Sequence, residues 1–225
     1  MRRKSCVQHR LKFPAKRGGR RRNSGRKPKG REAGVAHRAR ESFDRENANH
    51  VTMKVVGGLP SLRTPEAFAV IERALREAKD RFGCAFNQFS VQSNHIHLII
   101  EATSPEALAQ GVKGLAVRIA RGLNRLWGRT GTLWRDRYHH VVIRSARQMK
   151  NVLRYVLRNC ERHGVTHVGT PDPYSSAVYF FWFTDFCPNA AAVFAKELPI
   201  SLPHSELQRE RSKTHGHFAV SAKAA

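Results

Sequence analysis

Two histidines separated by one residue stand at the start of a hydrophobic strand candidate, in the stretch VQSNHIHLIIEA at 91–102. Side chains in a strand alternate between faces, so His95 and His97 share one face, about 6.5–7 Å apart at the backbone. Neutral imidazole is a common metal ligand, and this spacing lets both rings reach one divalent ion. Two ligands are too few for a structural zinc site; they suit an open site that substrate oxygens and water complete.

A second pair of reactive side chains lies in a later segment with helical periodicity, ARQMKNVLRYVLRNCERH. Tyr155 and Asn159 are four residues apart, so they are neighbours on one side of a helix. They lie on the polar face, opposite an apolar stripe that includes Leu153 and Val156. A phenol is a nucleophile for a phosphodiester, and an amide oxygen can complete the coordination of a metal ion. Taken alone, the pair is also compatible with a surface tyrosine on an amphipathic helix.

The surrounding elements must place these side chains, and their predicted order is β-α-β-β-α-β-α. Strands are predicted at 50–56, 84–92, 95–102 and 132–144. Helices are predicted to begin at Thr64-Pro65-Glu66, at Ser104-Pro105-Glu106 and at Ser145, because these residues are typical of helix starts.

This order predicts an α+β, ferredoxin-like (split β-α-β) fold, a four-stranded antiparallel sheet with helices on one face. We expect Ile96, Leu98 and Ile100 to face the helices and the two histidines to lie on the open face.

The charge is strongly positive and uneven. The net charge is +24, and residues 1–40 hold 16 of the 41 Lys and Arg with a single acid, Glu32. We expect a disordered basic arm at 1–48, a folded catalytic domain at 49–182 and a C-terminal extension at 183–225. The remainder of the chain is basic by itself, which favours a polyanionic partner such as nucleic acid.

Cysteine spacing and hydrophobicity exclude other classes. The four cysteines, Cys6, Cys84, Cys160 and Cys187, form no CxxC pair, which argues against a zinc ribbon and predicts reduced thiols in a cytoplasmic protein. The longest apolar run, AVYFFWF at 177–183, is too short to span a bilayer. We therefore expect no membrane association.

The combination of His-x-His on a central strand with Tyr-x-x-x-Asn on a later helix resembles the single-tyrosine HUH transposases, most closely the REP-associated tyrosine transposase branch. The resemblance covers about residues 48–180 and includes NHIHLIIEA, LWRDRYHHVVIR, LRYVLRNCERHG and DPYSSA. One departure is Asn159-Cys160, where many members have Asn-Pro.

The resemblance implies that His95, His97 and Asn159 bind Mg²⁺ or Mn²⁺ and that Tyr155 is the nucleophile. The family cleaves single-stranded DNA next to hairpins formed by palindromic repeats. Cleavage leaves a 5′-phosphotyrosine link and a free 3′-hydroxyl. The resemblance further implies a nucleoid-associated location in a prokaryotic cytoplasm, and it leaves a monomer and a homodimer both open.

Several basic or aromatic residues are candidates for DNA contacts, by charge or by stacking on unpaired bases. They are Arg118, Arg121 and Arg125 on the second helix, Arg135, Arg137, Tyr138 and Arg144 in the fourth-strand segment, and Arg158 on the third helix.

Two other hypotheses remain open. A non-catalytic, RRM-like module would also bind single strands on such a sheet, but HIHLII stands where its stacking aromatic residues are expected. A histidine phosphoesterase would need a third histidine in the run or a second paired His-x-Thr/Ser motif, and the run ends at Leu98. Formation of a covalent protein–DNA adduct separates the transposase from both.

Overall fold

The predicted order of elements is confirmed in a computed structural model, which describes residues 41–44, 47–159, 171–179, 198–201 and 203–205. The strands are β1 (Ala48–Lys54), β2 (Cys84–Val91), β3 (His95–Ala102) and β4 (His139–Ile143). The helices are α1 (Pro65–Ala78), α2 (Pro105–Leu126) and α3 (Ala146–Leu157), and a 3₁₀ turn follows at Ser176–Tyr179. The α+β, ferredoxin-like class is confirmed: one antiparallel sheet with the strand order β2-β3-β1-β4.

The helix starts follow from local chemistry. Thr64, Ser104 and Ser145 each accept a hydrogen bond through the side-chain oxygen from the backbone N–H three residues later. A proline occupies the first turn of both α1 and α2. Each cap satisfies a backbone donor that the helix itself leaves unpaired.

The fourth strand is shorter than predicted. The segment first pairs with the end of β1 through a bridge between Val55 and Trp134, and regular pairing resumes only at His139. The Trp134 indole donates a hydrogen bond to the Ala116 carbonyl of α2 at 3.0 Å, which ties this part of the segment to the helix layer.

The expectation that all helices lie on one face is wrong for α3. Helices α1 and α2 pack on the face that carries Ile96, Leu98 and Ile100. Helix α3 packs on the opposite face, against Ile99 of β3 and other buried apolar residues. The apolar stripe of α3 needs an apolar surface, and the histidine face supplies it.

The outer edge of β2 is covered by later parts of the chain. Ser175 bridges to Ser90, and the backbone N–H of Ser201 donates to the Phe86 carbonyl at 2.8 Å. Ser205 and His204 donate to the buried Glu101 carboxylate of β3. Residues 198–201 and 203–205 of the predicted C-terminal extension thus lie against the sheet.

Other predictions fall on residues outside the described ranges. These are the arm up to residue 40, most of the segment from 183 onward, and Cys6, Cys160 and Cys187. Cys84 is described, and it is a buried free thiol. Among the helices of the described part of the chain, none has the length and apolar character that crossing a membrane requires.

Candidate active site

The register of β1 against β3 builds one face of the site. His97 is paired with Thr52, and His95 is paired with Lys54. His50 lies one pleat further along β1 on the same face, because side chains two residues apart share a face. Strand pairing thus brings three imidazoles and a hydroxyl together on the face that α3 covers.

The two predicted metal ligands converge. Nε2 of His95 and Nε2 of His97 are 3.0 Å apart. Nδ1 of His95 lies 2.7 Å from Oδ1 of Asn94, an atom that only accepts, so Nδ1 carries the proton and Nε2 of neutral His95 keeps its lone pair. A second lone pair on His97 Nε2 would repel the first unless a proton or a cation lies between them.

His97 is held from its other side. Its Nδ1 is 3.2 Å from Oγ1 of Thr52 and 3.2 Å from Nε2 of His50. A hydroxyl can donate or accept, so Thr52 supports His97 in either tautomer. With Nδ1 protonated and hydrogen-bonded, Nε2 points toward His95 as a ligand, the arrangement that metal-binding histidines commonly have.

His50 stays neutral beside this pair. Burial, and secondarily the nearby His139, lower the pKa of His50 from 6.5 to about 4. Its ring centroid lies 5.2 Å from that of His97 and 5.9 Å from that of Tyr155. A neutral imidazole adds hydrogen-bonding capacity to the site without adding charge.

Tyr155 reaches the histidine pair from α3. Its hydroxyl oxygen is 3.3 Å from Nε2 of His97, and the two rings meet edge to face with centroids 5.0 Å apart. The buried residues Leu153 and Val156 anchor the helix on the sheet. Packing therefore fixes the distance between the phenol and the imidazoles.

Asn159 is buried and only 1% exposed. Neither its Oδ1 nor its Nδ2 has a hydrogen-bond partner among the described residues. A buried amide without partners costs about 1–3 kcal/mol, so its oxygen is available to a ligand that the described residues do not supply.

The donor set fits a divalent cation. Ligand atoms in neighbouring positions of an octahedral ion, each at about 2.1 Å, are about 3.0 Å apart, as the two Nε2 atoms are. No group of three or more His, Cys, Asp and Glu side chains is placed to hold a metal within the described ranges. The further ligands would be the Asn159 amide oxygen, water and substrate oxygens, which agrees with an open site.

The predicted DNA-contact residues of α2 are not brought to this site. Arg118 lies 3.5 Å from Glu77 of α1, and Arg121 and Arg125 are exposed. Helix α2 covers the face of the sheet opposite the histidines. A contact made by these arginines would belong to a different surface of the domain.

The remaining predicted contacts are spread around the domain. Arg135 and Arg137 are exposed near the end of β1, while Tyr138 packs partly against the α1–α2 core. Arg144 forms an ion pair with Glu41, and Arg158 is the partly buried C-terminal cap of α3. Arg135 is linked to the site through the sheet, because its backbone N–H donates to the carbonyl of Lys54, the cross-strand partner of His95.

His50 and Thr52 were not predicted as site residues. They form a His-x-Thr motif in β1, and the spacing alone places both side chains on one face of a strand. Their position beside His97 depends on the pairing of β1 with β3, which the sequence pattern does not reveal.

Comparisons with known proteins bear on this arrangement. Residues 63–159 match the family described as "Transposase IS200 like". This match confirms the resemblance to single-tyrosine transposases and the predicted enzyme class, a DNA transposase. No curated protein sequence matches the chain.

Two solved structures are similar. One is a REP-associated tyrosine transposase bound to a REP hairpin: 16% identity, 63% of this chain, 82% of that chain and a TM-score of 0.52. The other is described as a transposase of Deinococcus radiodurans R1: 16% identity, 55% of this chain, 95% of that chain and a TM-score of 0.38. The first indicates a shared fold.

Proposed function

We propose that this chain, which carries the core of an IS200-like transposase in residues 63–159, cleaves and rejoins single-stranded DNA next to hairpin-forming repeats. The observation that carries the proposal is the position of the Tyr155 hydroxyl, 3.3 Å from a histidine nitrogen that itself lies 3.0 Å from a second one. The hydroxyl of the proposed nucleophile on α3 is thus adjacent to the two nitrogens of the proposed metal ligands on β3.

The reaction is a transesterification. The phenolic oxygen of Tyr155 forms a bond to phosphorus, and the bond from phosphorus to the 3′-oxygen breaks. The phenolic proton is lost to solvent, and the leaving oxygen takes up a proton to become a 3′-hydroxyl. The 5′-phosphotyrosine link conserves the energy of the phosphodiester, so the reverse attack by a 3′-hydroxyl rejoins DNA without a nucleotide cofactor.

His95, His97 and Asn159 would hold the divalent cation, Mg²⁺ or Mn²⁺. When bound, the cation supplies charge neutralisation at the non-bridging phosphate oxygens. Thr52 and His50 keep His97 oriented through Nδ1, and the packing of α3 keeps the phenol close to the pair.

The charge of the chain fits a nucleic-acid substrate. The solved structure with a TM-score of 0.52 is a transposase bound to a REP hairpin, and this chain carries a net charge of +24. The basic part of the predicted arm, residues 1–40, is proposed to contact the DNA backbone, in a protein associated with the nucleoid in a prokaryotic cytoplasm. A monomer and a homodimer are both compatible with this activity.

The test uses a labelled DNA hairpin with single-stranded flanks of randomised sequence, incubated with the protein and Mg²⁺. The wild type should form a covalent adduct that survives denaturing electrophoresis, and Tyr155→Phe should bind the DNA without forming it. His95→Ala should lose metal-dependent cleavage. An unchanged yield of cleaved DNA from Tyr155→Phe would refute the assignment, and binding without any adduct by the wild type would favour an RRM-like module.

A second function is favoured by one observation. His50 brings a third imidazole within 3.2 Å of His97 and belongs to a His-x-Thr motif, as a histidine phosphoesterase would require. That activity predicts hydrolysis without a protein–DNA link. It would survive Tyr155→Phe and would be lost in His50→Ala.

A further inference from the structure

A groove of about 760 Å³ opens next to His95, where β1 ends and β3 begins. Its lining includes Lys54, Gly57, Gly58, Ser93, Asn94 and Arg135. The volume lies within the usual range for sites that hold small organic ligands and exceeds what one phosphate group fills.

The groove is continuous with the histidine pair through two residues. Lys54 is the cross-strand partner of His95 in the β1–β3 pairing. Asn94 directly precedes His95, and its Oδ1 lies 2.7 Å from Nδ1 of that histidine. A molecule bound in the groove would therefore lie beside the phosphodiester that Tyr155 attacks.

The charges of the groove suit a phosphate. Lys54 and Arg135 are both exposed, and the Arg135 N–H donates to the Lys54 carbonyl at 2.8 Å, which holds the two cationic residues side by side. No acidic residue is among the described residues that line it. Two cationic side chains that line the same groove favour an anionic ligand.

The other side of the groove leaves space for a flat ring. A Cβ atom built at Gly57 or Gly58 meets nothing within 4 Å. Asn94 uses Oδ1 toward His95, and its Nδ2 group carries two donors for a base edge.

We infer that this groove binds one unpaired nucleotide adjacent to the scissile phosphodiester, with its phosphate near Lys54 and Arg135 and its base near Gly57 and Gly58. Asn94 contacts both this nucleotide and His95, so that recognition of the base and placement of the metal ligand share one side chain. This inference rests on the proposed function, because it names a subsite for the same substrate.

The first test fills the groove. Gly57 has open space around its Cβ position and no positive φ, so Gly57→Phe adds a ring without backbone strain. Its matched control is Ala69→Phe at an exposed position of α1, on the helix layer opposite the histidines. Both are made in the Tyr155→Phe background, where binding is measured without cleavage by fluorescence anisotropy.

The probe is the DNA hairpin with a single-stranded tail of randomised sequence. We expect Gly57→Phe to weaken binding about tenfold, since contacts to one unpaired base typically contribute this much, and Ala69→Phe to leave binding unchanged. Binding of the hairpin without its tail should be the same in both variants. Equal affinities of Gly57→Phe and Ala69→Phe for the tailed probe would overturn the inference.

The second test concerns the phosphate. Arg135→Gln should lower the slope of log affinity against log salt by about 0.7, the value for one lost phosphate contact on a single strand. The control is Arg73→Gln on α1, whose side chain is 76% exposed. An unchanged slope for Arg135→Gln would show that Arg135 contacts no phosphate in the groove.

Failure of the proposed function and failure of the subsite give different results. If the wild type forms no Tyr155-dependent adduct but Gly57→Phe still weakens binding of the tail, the proposed function fails, and the groove is a binding site for an unpaired nucleotide without a scissile phosphodiester beside it. If the wild type forms the adduct and Gly57→Phe binds the tailed probe as tightly as the control, the subsite fails and the proposed function stands.

Discussion

The hydroxyl oxygen of Tyr155 lies 3.3 Å from Nε2 of His97, across the interface between α3 and β3. Their proximity depends on α3 packing on the histidine face of the sheet, where Ile99 and Ile143 receive its apolar stripe. If α3 shared the other face with α1 and α2, the sheet would separate phenol and imidazoles by about the 10 Å of a packed layer. The predicted nucleophile and the predicted metal ligands therefore come together through tertiary packing.

The first prediction concerns Thr52, which supports Nδ1 of His97 at 3.2 Å. Thr52→Val keeps the shape of the side chain and removes the hydroxyl. We expect Mn²⁺ affinity to fall about tenfold, because the residues that orient a metal-binding histidine typically contribute 10–100-fold to affinity. Titration of Mn²⁺ by electron paramagnetic resonance measures this without any DNA.

The control for Thr52 is Thr132→Val, at an exposed loop position. It should bind Mn²⁺ like the wild type. If Thr52→Val binds Mn²⁺ as tightly as this control, the hydroxyl does not position His97.

The second prediction concerns Asn159, whose buried amide has no partner among the described residues. Asn159→Leu removes a candidate ligand and replaces an unpaired polar group by an apolar one of similar volume. We expect weaker Mn²⁺ binding together with unchanged or higher stability of the metal-free protein, because the desolvation cost disappears. Mn²⁺ titration and urea unfolding in the presence of a chelator measure the two effects.

A purely structural role for Asn159 gives the opposite pattern. Asn159→Leu would then lower the stability of the metal-free protein and leave Mn²⁺ affinity unchanged. Asn159→Asp is the second variant: it keeps an oxygen ligand and adds a charge, so Mn²⁺ should bind at least as tightly as in the wild type.

Much of the fold could be predicted because its signals are local. The caps at Thr64, Ser104 and Ser145 and the alternation in HIHLII are read from a few neighbouring residues. The alternation also placed His95 and His97 on one face. Local spacing also predicted that Tyr155 and Asn159 are neighbours on one helix, but α3 ends at Leu157, so Asn159 lies just beyond it.

Other features depend on contacts between distant parts of the chain. The apolar stripe of α3 shows which side of the helix is buried, but it does not show which face of the sheet the helix covers. The place of His50 beside His97 depends on the register of β1 against β3. Similarly, the charge of Arg118 gives no information about the face of the sheet on which α2 lies.

The third prediction is a pH dependence of stability caused by His50. Burial first, and His139 second, lower the pKa of His50 from 6.5 to about 4. Between these values the unfolded chain binds a proton that the folded chain does not bind, so the free energy of unfolding rises as the pH rises through this window. This gain in the free energy of unfolding is at most about 3 kcal/mol, and it is complete above pH 6.5, where neither state binds the proton.

The variant that tests it is His50→Gln, whose side-chain amide does not titrate. Urea unfolding of the metal-free proteins should be measured near pH 4 and above pH 6.5. The gain in stability between these two values should be smaller in His50→Gln than in the wild type. An equal gain in both proteins would mean that other groups, such as the remaining histidines, cause the pH dependence.

The last prediction concerns the ion pair that fixes the segment following α3 to the edge of the sheet. Arg63 donates to both carboxylate oxygens of Asp172 at 2.8 Å and to the Val91 carbonyl at 2.8 Å, and its guanidinium lies 4.7 Å from the Tyr174 ring centroid. The side chains are only 10% and 1% exposed. Removal of one partner leaves a buried charge, so Asp172→Asn should lower the free energy of unfolding by about 3 kcal/mol.

Two comparisons make this prediction specific. The apolar double replacement, Arg63→Met with Asp172→Leu, should recover most of the loss, since no buried charge remains. Glu77→Gln breaks the pairs of Glu77, whose side chain is 52% exposed, with Arg73 and Arg118, and should change stability by less than about 1 kcal/mol because exposed ion pairs contribute little. If Asp172→Asn is no more destabilising in urea than Glu77→Gln, the Arg63–Asp172 pair does not hold this segment in place.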